Sequence, residues 1–319
     1  MRAAQIERFG DWRAVGVADV AVPVPRAGEV LVRVAASSVN PVDVAHREGR
    51  LRLLSGGRMP QGLGIDAVGT VHAVGAAVRG FEAGQRVWGI RAGASGMRAA
   101  TGLTAEFAVV DARRLALAPA SLDDAEAASL LIGGYTALRA LTDVAGVRAG
   151  DRVLVRGGTG GVGSAAVQVA AALGARVAVL ASAAGEGVAR QLGATEFFDY
   201  RTATPALVGA VDVLVDTVGT DLLAWRKTLS PRGRMVGVAF DSVAGLVPIG
   251  ASAVFGARRI RTFAGEPPAG ALAKLTRFVD EHGIRGVVHG TYPLERLGEA
   301  HREFSAGGVR GKIVVAVAD

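Results

Sequence analysis

The sequence contains no cysteine. This absence excludes disulfide bonds, thiolate nucleophiles and any zinc site that needs cysteine ligands. The histidines do not compensate, because their positions show no paired spacing of the kind that metal ligands have. They are His46, His72, His282, His289 and His301. We therefore expect each histidine to be an ordinary surface or packed residue, and zinc-dependent chemistry is disfavoured.

Segments that mark nucleic-acid or membrane partners are also missing. Only three of the 319 residues are lysine, and the arginines that supply most of the net charge of +7 are scattered, without a clustered basic patch. The longest uncharged stretch, residues 157–175, is too rich in glycine and polar residues to cross a bilayer. The N-terminus has no apolar signal-peptide core. We expect a cytoplasmic protein that binds neither nucleic acid nor membrane.

The first third of the chain is typical of a β-rich domain. Polar and apolar residues alternate over residues 29–35 and 69–75, as in half-buried strands. Residues 84–89 and 104–110 are further predicted strands. Turn residues separate these segments at short spacing, which favours an antiparallel barrel or sandwich.

The pattern changes near Ser121. Ser121 and Asp124 resemble a capping box, and residues 122–142 are helix-like. Strands and helices then alternate, which predicts a parallel doubly wound sheet. The predicted strands lie near residues 153–155, 177–180, 196–199, 211–215, 234–239 and 259–263.

The C-terminal segments set the predicted domain borders. A helix near residues 268–282 is expected to close the parallel-sheet domain. A strand at 287–292, a helix at 295–304 and a strand at 312–317 are expected to complete the sheet of the first domain. The borders then fall near residues 122 and 284, which gives a first domain of 1–122 plus 284–319 and a second domain of 123–283.

A glycine cluster between the first strand and helix of the second domain carries the main functional signal. Gly158, Gly160 and Gly163 fit the G-x-G-x-x-G spacing. In that motif one glycine permits a tight turn, one lets the backbone approach a pyrophosphate, and one lets helix and strand pack closely. The N–H groups at the helix start face the anion. The cluster predicts a dinucleotide site and favours an oxidoreductase.

The end of the second strand of this domain indicates which dinucleotide is bound. Sites for NAD usually carry an acid about 20 residues after the glycines, which binds the ribose 2′-hydroxyl. Here the strand ends at Leu180-Ala-Ser182 without an acid, and Glu186 falls in the following helix. Since no carboxylate repels a 2′-phosphate, we expect NADPH rather than NADH.

Together these segments resemble the medium-chain dehydrogenase/reductase superfamily, specifically its zinc-free quinone oxidoreductase (zeta-crystallin-like) branch. Matching motifs begin at Gly28, Asn40, Gly64, Gly84, Tyr135, Gly150 and Gly311, in addition to the glycine cluster. The resemblance implies a GroES-like β-rich catalytic domain and a Rossmann domain, with the cofactor in the cleft between them. It also implies a homodimer joined through the last Rossmann strand, here residues 259–263.

The resemblance further implies zinc-independent chemistry. Zinc-dependent relatives place a cysteine at the position of Asn40 and a histidine at the position of Ile65, and this chain has neither. It also lacks their four-cysteine structural zinc loop, for which residues 91–103 look like a short substitute.

The resemblance also implies the contacts of the cofactor. NADPH-binding members place a serine, a lysine and a tyrosine around the 2′-phosphate. Ser182 and Tyr200 match two of these, while the lysine position falls at Gly185. Arg201 is a candidate to compensate, since guanidinium binds phosphate bidentately; alternatively Tyr200 packs at a strand end and Arg201 is solvated. The other implied contacts are Asn40, Thr136, Gly160, Gly161, Val162, Val238, Ala239 and Phe240.

The implied reaction is hydride transfer from NADPH to a small apolar acceptor, either a quinone or an α,β-unsaturated carbonyl. Asn40 is the candidate for positioning cofactor or substrate, or it is a turn residue before proline. Some relatives carry a tyrosine where this chain has Ala45. His46 is therefore a candidate proton donor, and the alternatives are a solvated histidine and a proton from water. We expect Asp43 to be a structural acceptor.

Two other functions remain open at this point. The same site plan suits an enoyl reductase or tailoring enzyme of secondary metabolism. A redox-silent dinucleotide-binding protein is also compatible with the missing tyrosine. The apolar segment 241–257 lines a substrate pocket, forms a dimer contact or belongs to the core.

Overall fold

The computed structural model of the protein describes residues 1–91, 99–239, 259–263 and 267–317. Two predictions, Phe240 as a cofactor contact and the segment 241–257, lie outside the described residues. Within these ranges no helix is both long enough and apolar enough to span a bilayer.

The chain divides into two units. The β-rich unit comprises Met1–Ile132 and Gly265–Asp319, and the parallel-sheet unit comprises Gly133–Ala264. The strands are β1 Arg2–Ile6, β2 Val15–Asp19, β3 Glu29–Ser38, β4 Gln61–Gly62, β5 Asp66–Val74, β6 Arg86–Ile90, β7 Phe107–Asp111, β8 Leu115–Leu117, β9 Arg152–Arg156, β10 Arg176–Ala181, β11 Glu196–Asp199, β12 Val211–Asp216, β13 Leu229–Gly237, β14 Ile260–Arg261, β15 Val288–Pro293 and β16 Lys312–Ala316.

The α-helices of the described residues are α1 Pro41–Arg47, α2 Arg52–Ser55, α3 Asp124–Leu138, α4 Gly161–Ala172, α5 Glu186–Gln191, α6 Pro205–Val208, α7 Leu222–Trp225, α8 Ala271–His282 and α9 Leu297–Ala306. A π-helical segment, Arg139–Ala145, continues α3. Short 3-10 turns lie at Trp12–Ala14, Ala112–Arg114, Ala183–Gly185, Arg226–Thr228 and Leu294–Arg296.

The β-rich unit is built on a seven-stranded sheet in the order β15-β16-β3-β5-β6-β8, with β7 also paired to β3. The alternating residues of β3 explain its place in the middle, since Val30, Val32 and Val34 turn into the core. β16 runs antiparallel to β3 and pairs Val314 with Ser38. The two C-terminal strands, β15 and β16, thus lie in the same sheet as β3.

The parallel-sheet unit has six parallel strands in the order β11-β10-β9-β12-β13-β14. Its strands are short apolar runs buried on both faces, as in β9, where Val153, Leu154 and Val155 have no exposed surface. The strand order reverses direction between β9 and β12, which is the point where open parallel sheets bind ligands beyond the carboxyl ends of their strands. The predicted doubly wound sheet is confirmed.

Helix α8 belongs to the β-rich unit, whereas the sequence pattern predicted that it closes the second domain. The hydroxyl of Thr276 donates to Leu117 O at 2.7 Å, and the hydroxyl of Ser121 donates to Asp280 at 2.7 Å. The borders at Ile132 and Ala264 accordingly differ from those predicted near residues 122 and 284.

The start of α3 also differs from the prediction. Asp123 and Glu126 form the reciprocal pair, since each side chain accepts the backbone N–H of the other residue, at 2.8 Å and 3.4 Å. Asp124 instead accepts a hydrogen bond from Arg86 at 2.7 Å. The predicted capping box of Ser121 and Asp124 is wrong because tertiary partners engage both side chains.

Candidate active site

The glycine loop of the parallel-sheet unit follows β9 directly, and backbone conformation or packing explains three of its glycines. Gly157 has a positive φ of +74° and makes the tight turn, a position that the spacing argument did not single out. A Cβ on Gly158 would lie 2.6 Å from the Val179 side chain, and one on Gly163 only 2.0 Å from Gly157 O. Gly163 therefore lets the first turn of α4 pack closely against the loop that follows β9.

Gly160 is different, because the protein itself does not require a glycine there. A Cβ at this position would meet only Gly157 O, at 3.4 Å. Gly160 is the N-cap of α4, and Gly161, Val162 and Gly163 form its first turn. The first N–H groups of a helix have no partner within the helix and favour an anion. This open position above a helix start fits the pyrophosphate of a dinucleotide.

Gly133 brings α3 onto the same loop. A Cβ on Gly133 would lie 2.2 Å from Gly161 O, so only glycine allows this approach. Thr136 follows three residues later on α3 and is partly exposed. Gly133 is not among the residues predicted from the sequence, although a glycine inside a helical pattern is itself a sign of close packing.

The predicted 2′-phosphate residues lie beyond two neighbouring strands. Ala181 of β10 pairs with Asp199 of β11, and the N–H of Tyr200 donates to Ala181 O at 3.0 Å. Ser182 and Tyr200 therefore follow paired positions at the carboxyl edge of the sheet. Tyr200 is 56% exposed and is not packed at the strand end. The Arg201 guanidinium lies 5.7 Å from the centroid of its ring.

The acids near this edge are engaged elsewhere. Glu186 lies in α5, as predicted, where it forms an exposed ion pair with Arg190 at 3.2 Å. Asp199 accepts the backbone N–H of Arg201 at 3.1 Å. The residue that follows β10 is Ser182, so no carboxyl group is present at that position.

Val238 and Ala239 follow β13 at the same edge of the sheet. The N–H of Val238 donates to Asp216 O, the last residue of β12, at 2.9 Å. Both residues are partly exposed. The predicted contacts in the parallel-sheet unit that the structure describes thus gather around the glycine loop and the carboxyl ends of the strands.

Asn40, in the β-rich unit, is the N-cap of α1 and is 1% exposed. Its amide nitrogen donates to Asp66 at 2.9 Å and to Ser38 O at 3.0 Å. Its amide oxygen accepts a hydrogen bond from the ammonium of Lys312. Asn40 is therefore more than a turn residue, but its polar atoms are all engaged within its own unit.

Asp66 is the main acceptor in this buried polar cluster of Ser38, Asn40, Asp43, Asp66 and Lys312. It has no exposed surface, and it accepts hydrogen bonds from the backbone and hydroxyl of Ser38 at 2.7 and 2.6 Å, besides that from Asn40. Ser37 adds a longer one at 3.2 Å. Four hydrogen bonds therefore converge on this one buried carboxyl group.

Asp43 is also buried, and it bridges two loops. Its carboxyl accepts the N–H of Asn40 at 3.0 Å and that of Gly64 at 3.2 Å. Burial, reinforced by the negative charge of Asp66, raises the pKa of Asp43 to about 7. Its geometry is that of the structural acceptor we expected.

His46 is packed rather than solvated, since it is 2% exposed. Its Nε2 lies 2.6 Å from Oε1 of Gln61. The Gln61 amide nitrogen donates to Ser55 O and Arg58 O, so Oε1 is its acceptor and His46 Nε2 is the donor. Burial lowers the pKa of His46. The interpretation of a solvated histidine is wrong, and the imidazole is neutral with one N–H fixed on Gln61.

Lys312 and Asp66 belong to this cluster but are not among the site residues predicted from the sequence. Both lie in motifs that the chain shares with the family. A charged residue at the start of the apolar strand Lys312–Ala316 was the available signal, because lysine is rarely buried unless it is paired.

Comparison with known proteins agrees with this geometry. A family profile described as "Alcohol dehydrogenase GroES-like domain" matches residues 26–120, and one described as "Zinc-binding dehydrogenase" matches residues 192–315. The chain is 31% identical to the quinone oxidoreductase of Lama guanicoe, over 99% of this chain and 97% of that protein. The solved quinone oxidoreductase of Coxiella burnetii superposes with a TM-score of 0.87 at 29% identity and covers 100% and 99% of the two chains.

One similarity points to another class of reaction. The chain is 32% identical to a segment of the mycocerosic acid synthase-like polyketide synthase of Mycobacterium tuberculosis. The match covers 98% of this chain and 15% of that much longer protein.

The zinc named in one family description does not fit the residues of this chain. No group of three or more His, Cys, Asp or Glu that could hold a metal occurs within 1–91, 99–239, 259–263 and 267–317. Ile65 offers no donor atom, and the Asn40 oxygen faces the Lys312 ammonium, which would repel a metal ion. A nicotinamide dinucleotide, in contrast, fits the glycine loop.

Proposed function

We propose, from the premise that the chain belongs to the quinone oxidoreductase (zeta-crystallin-like) branch of the medium-chain dehydrogenase/reductase superfamily, that it reduces a quinone or an α,β-unsaturated carbonyl with NADPH and without a metal. The single observation that carries the proposal is Gly160, a glycine that packing does not require, at the start of α4. The bound dinucleotide supplies the hydride, and the protein binds it, orients it and excludes water.

NADPH is the proposed cofactor because of the residues beyond β10 and β11. Ser182 and Tyr200 supply hydroxyl groups and Arg201 supplies a cation, which together suit a 2′-phosphate. Tyr200 and Arg201 are exposed, so a ligand can reach them without rearrangement of the core. The absence of an acid after Ala181 removes the group that would select the 2′-hydroxyl of NADH.

The contacts of Asn40 and His46 in the β-rich unit support the proposal of metal-free catalysis. Asn40 is a positioning residue in this proposal, because its amide is fixed between Asp66 and Lys312. His46 is retained as a structural residue, since its Nε2 proton is bound to Gln61. We assign the proton that completes the reduction to solvent water.

The protein is proposed to be a cytoplasmic homodimer that binds a small apolar substrate. β14 is the last strand of the described parallel sheet, so its outer edge is the position where a second copy would extend the sheet. Light scattering of the purified protein tests this, with twice the mass of 32.4 kDa expected.

A second candidate function is enoyl reduction of a biosynthetic intermediate. The match to a segment of a polyketide synthase favours it, because the two proteins align over nearly the whole of this chain. Both functions need the same hydride donor, so the acceptor distinguishes them.

Calorimetry and turnover test the proposal together. The protein is titrated with NADPH and NADH, and oxidation of the preferred nucleotide is followed with 9,10-phenanthrenequinone and with a simple enone. We expect tighter binding of NADPH and turnover with at least one acceptor. Reduction of enoyl thioesters alone would favour the second function. Binding without any turnover would favour a redox-silent protein, and no binding of either nucleotide would refute the proposal.

A further inference from the structure

The buried polar cluster of the β-rich unit combines a lysine with two carboxyl groups. Asp66 and Asp43 are buried, and Lys312 is only 4% exposed. An ionised carboxylate in a protein interior is costly unless a positive charge lies nearby. The cluster therefore needs a source of positive charge in the folded protein.

Lys312 is placed to be that source. Its Nζ contacts Asn40 Oδ1 and lies 3.3 Å from Val39 O, and both atoms are acceptors. An ammonium has three donors and no acceptor, which matches this surrounding. Burial lowers the pKa of Lys312. Attraction to Asp66, and to a smaller extent to Asp43, opposes this decrease.

The fold delivers this ammonium over a long sequence separation. Lys312 is the first residue of β16, and β16 pairs with the end of β3, where Val314 lies opposite Ser38. The chain that leaves β3 carries Val39 and Asn40, so the pairing register fixes the lysine beside them. A shift of one residue would turn the lysine to the other face of the sheet.

We propose that Lys312 is a tethered cation. Its ammonium, bound to Asn40 Oδ1, supplies to the buried polar cluster the positive charge that a bound metal ion would supply in a zinc protein. The proposal accounts for the misfit with zinc. It also accounts for the orientation of the Asn40 amide, whose oxygen faces Lys312 and whose nitrogen faces Asp66.

Truncation followed by chemical rescue tests the proposal. Lys312→Ala removes a group of the size of n-propylammonium and leaves the oxygens of Asn40 and Val39 without their charged donor. We expect the melting temperature to fall by roughly 10 °C, because buried acceptors that lose a charged hydrogen-bond donor are costly. Added n-propylammonium chloride should restore part of this loss, while neutral 1-propanol should not.

Two control variants test whether the rescue by propylammonium is specific to the space left in Lys312→Ala. Lys274→Ala removes an exposed lysine of α8, and its melting temperature should change no more in propylammonium than that of the parent protein. Lys312→Met fills the space without a charge and should not be rescued. Equal rescue by propylammonium and propanol would show that only volume matters, and would overturn the proposal.

A double variant keeps the test decisive if Lys312→Ala does not fold. Lys312→Met/Asp66→Asn removes both charges and should be more stable than Lys312→Met alone. Equal stability of these two variants, or a parent protein that zinc stabilises and chelators destabilise, would overturn the proposal. All of these measurements report stability, so they do not depend on the proposed hydride transfer.

Discussion

Arg156 and Asp216 form a buried ion pair across the carboxyl ends of β9 and β12, in which they occupy paired positions. The same guanidinium donates to Thr220 O at 2.8 Å and lies 4.8 Å from the centroid of the Trp225 ring. Asp216 also accepts the N–H of Gly219 at 2.6 Å. The pair thereby fixes the loop after β12 to the strand that leads into the glycine loop.

Removal of Arg156 from this pair should strongly destabilise the protein. We expect Arg156→Met to lower the free energy of unfolding by about 3–5 kcal/mol, because Asp216 is left buried and unpaired. Urea unfolding measures this. The control is Arg190→Met, which breaks an exposed ion pair and should cost less than about 1 kcal/mol. Equal effects of the two substitutions would show that the buried pair has no special weight.

Gly160 and Gly163 should respond to alanine in opposite ways. Gly160→Ala should leave the melting temperature unchanged but weaken NADPH binding roughly tenfold, because the methyl group enters the space proposed for the pyrophosphate. Gly163→Ala should destabilise the fold, because its Cβ meets Gly157 O at 2.0 Å. Calorimetry and thermal melts separate the two effects. NADPH binding that Gly160→Ala does not weaken would contradict the placement of the diphosphate.

Arg201 should select between the two nucleotides. We expect Arg201→Ala to weaken NADPH binding by about tenfold, which is 1.4 kcal/mol, with no change for NADH. Arg190→Ala removes another exposed arginine and serves as the control. A loss that is equal for NADPH and NADH would mean that Arg201 does not contact the 2′-phosphate.

Asp43 should make the protein less stable as the pH rises. Its pKa is about 7 in the folded state, compared with about 3.9 for an unperturbed aspartate. The folded state therefore holds a proton that the unfolded state releases. The stabilisation is complete below pH 4 and is lost as the pH rises to 7, by up to about 4 kcal/mol.

The buried residue His301 has the opposite effect, because it makes the protein more stable as the pH rises over part of this range. Burial, with a smaller effect of Arg47, lowers the pKa of His301 to about 3. That group adds stability as the pH rises towards 6.5, so the effect of Asp43 must be isolated by difference. Urea unfolding of the parent and of Asp43→Asn between pH 4 and 8 measures this difference. Parallel pH profiles would contradict the shifted pKa.

His46 should matter for stability and not for proton transfer. His46→Ala leaves the Gln61 acceptor unpaired and should cost about 1–3 kcal/mol, with kcat and its pH profile retained. His46→Gln keeps a donor and should recover part of the stability. A collapse of kcat in His46→Gln at normal melting temperature would instead identify His46 as the proton donor.

The parallel-sheet unit was predictable because its signals are local. Each strand is a short apolar run, and the glycine spacing lies within one strand–loop–helix segment. The role of each individual glycine in that segment is harder to predict from the sequence. The spacing identifies Gly158, Gly160 and Gly163, but the positive φ falls on Gly157, and only the backbone conformation distinguishes the two adjacent glycines.

The polar cluster was not predictable from local patterns. Lys312 and Asn40 are 272 residues apart, and the alternation within β3 and β16 does not say which strands pair or in which register. The same limit applies to α8, whose position depends on the partners of Thr276 and Asp280. From the sequence, His46 could be a proton donor or a solvated residue of a helix. Its buried partner Gln61 lies 15 residues away, and no local pattern reveals that contact.

Strand β16 also has a consequence for synthesis of the protein on the ribosome. The parallel-sheet unit is one continuous segment, so it can fold while translation continues. The β-rich unit lacks Lys312 and one of the three strands that pair with β3 until residue 316 has left the exit tunnel. A nascent chain stalled before that point would carry a complete parallel-sheet unit and a β-rich unit in which Asn40 lacks the lysine ammonium.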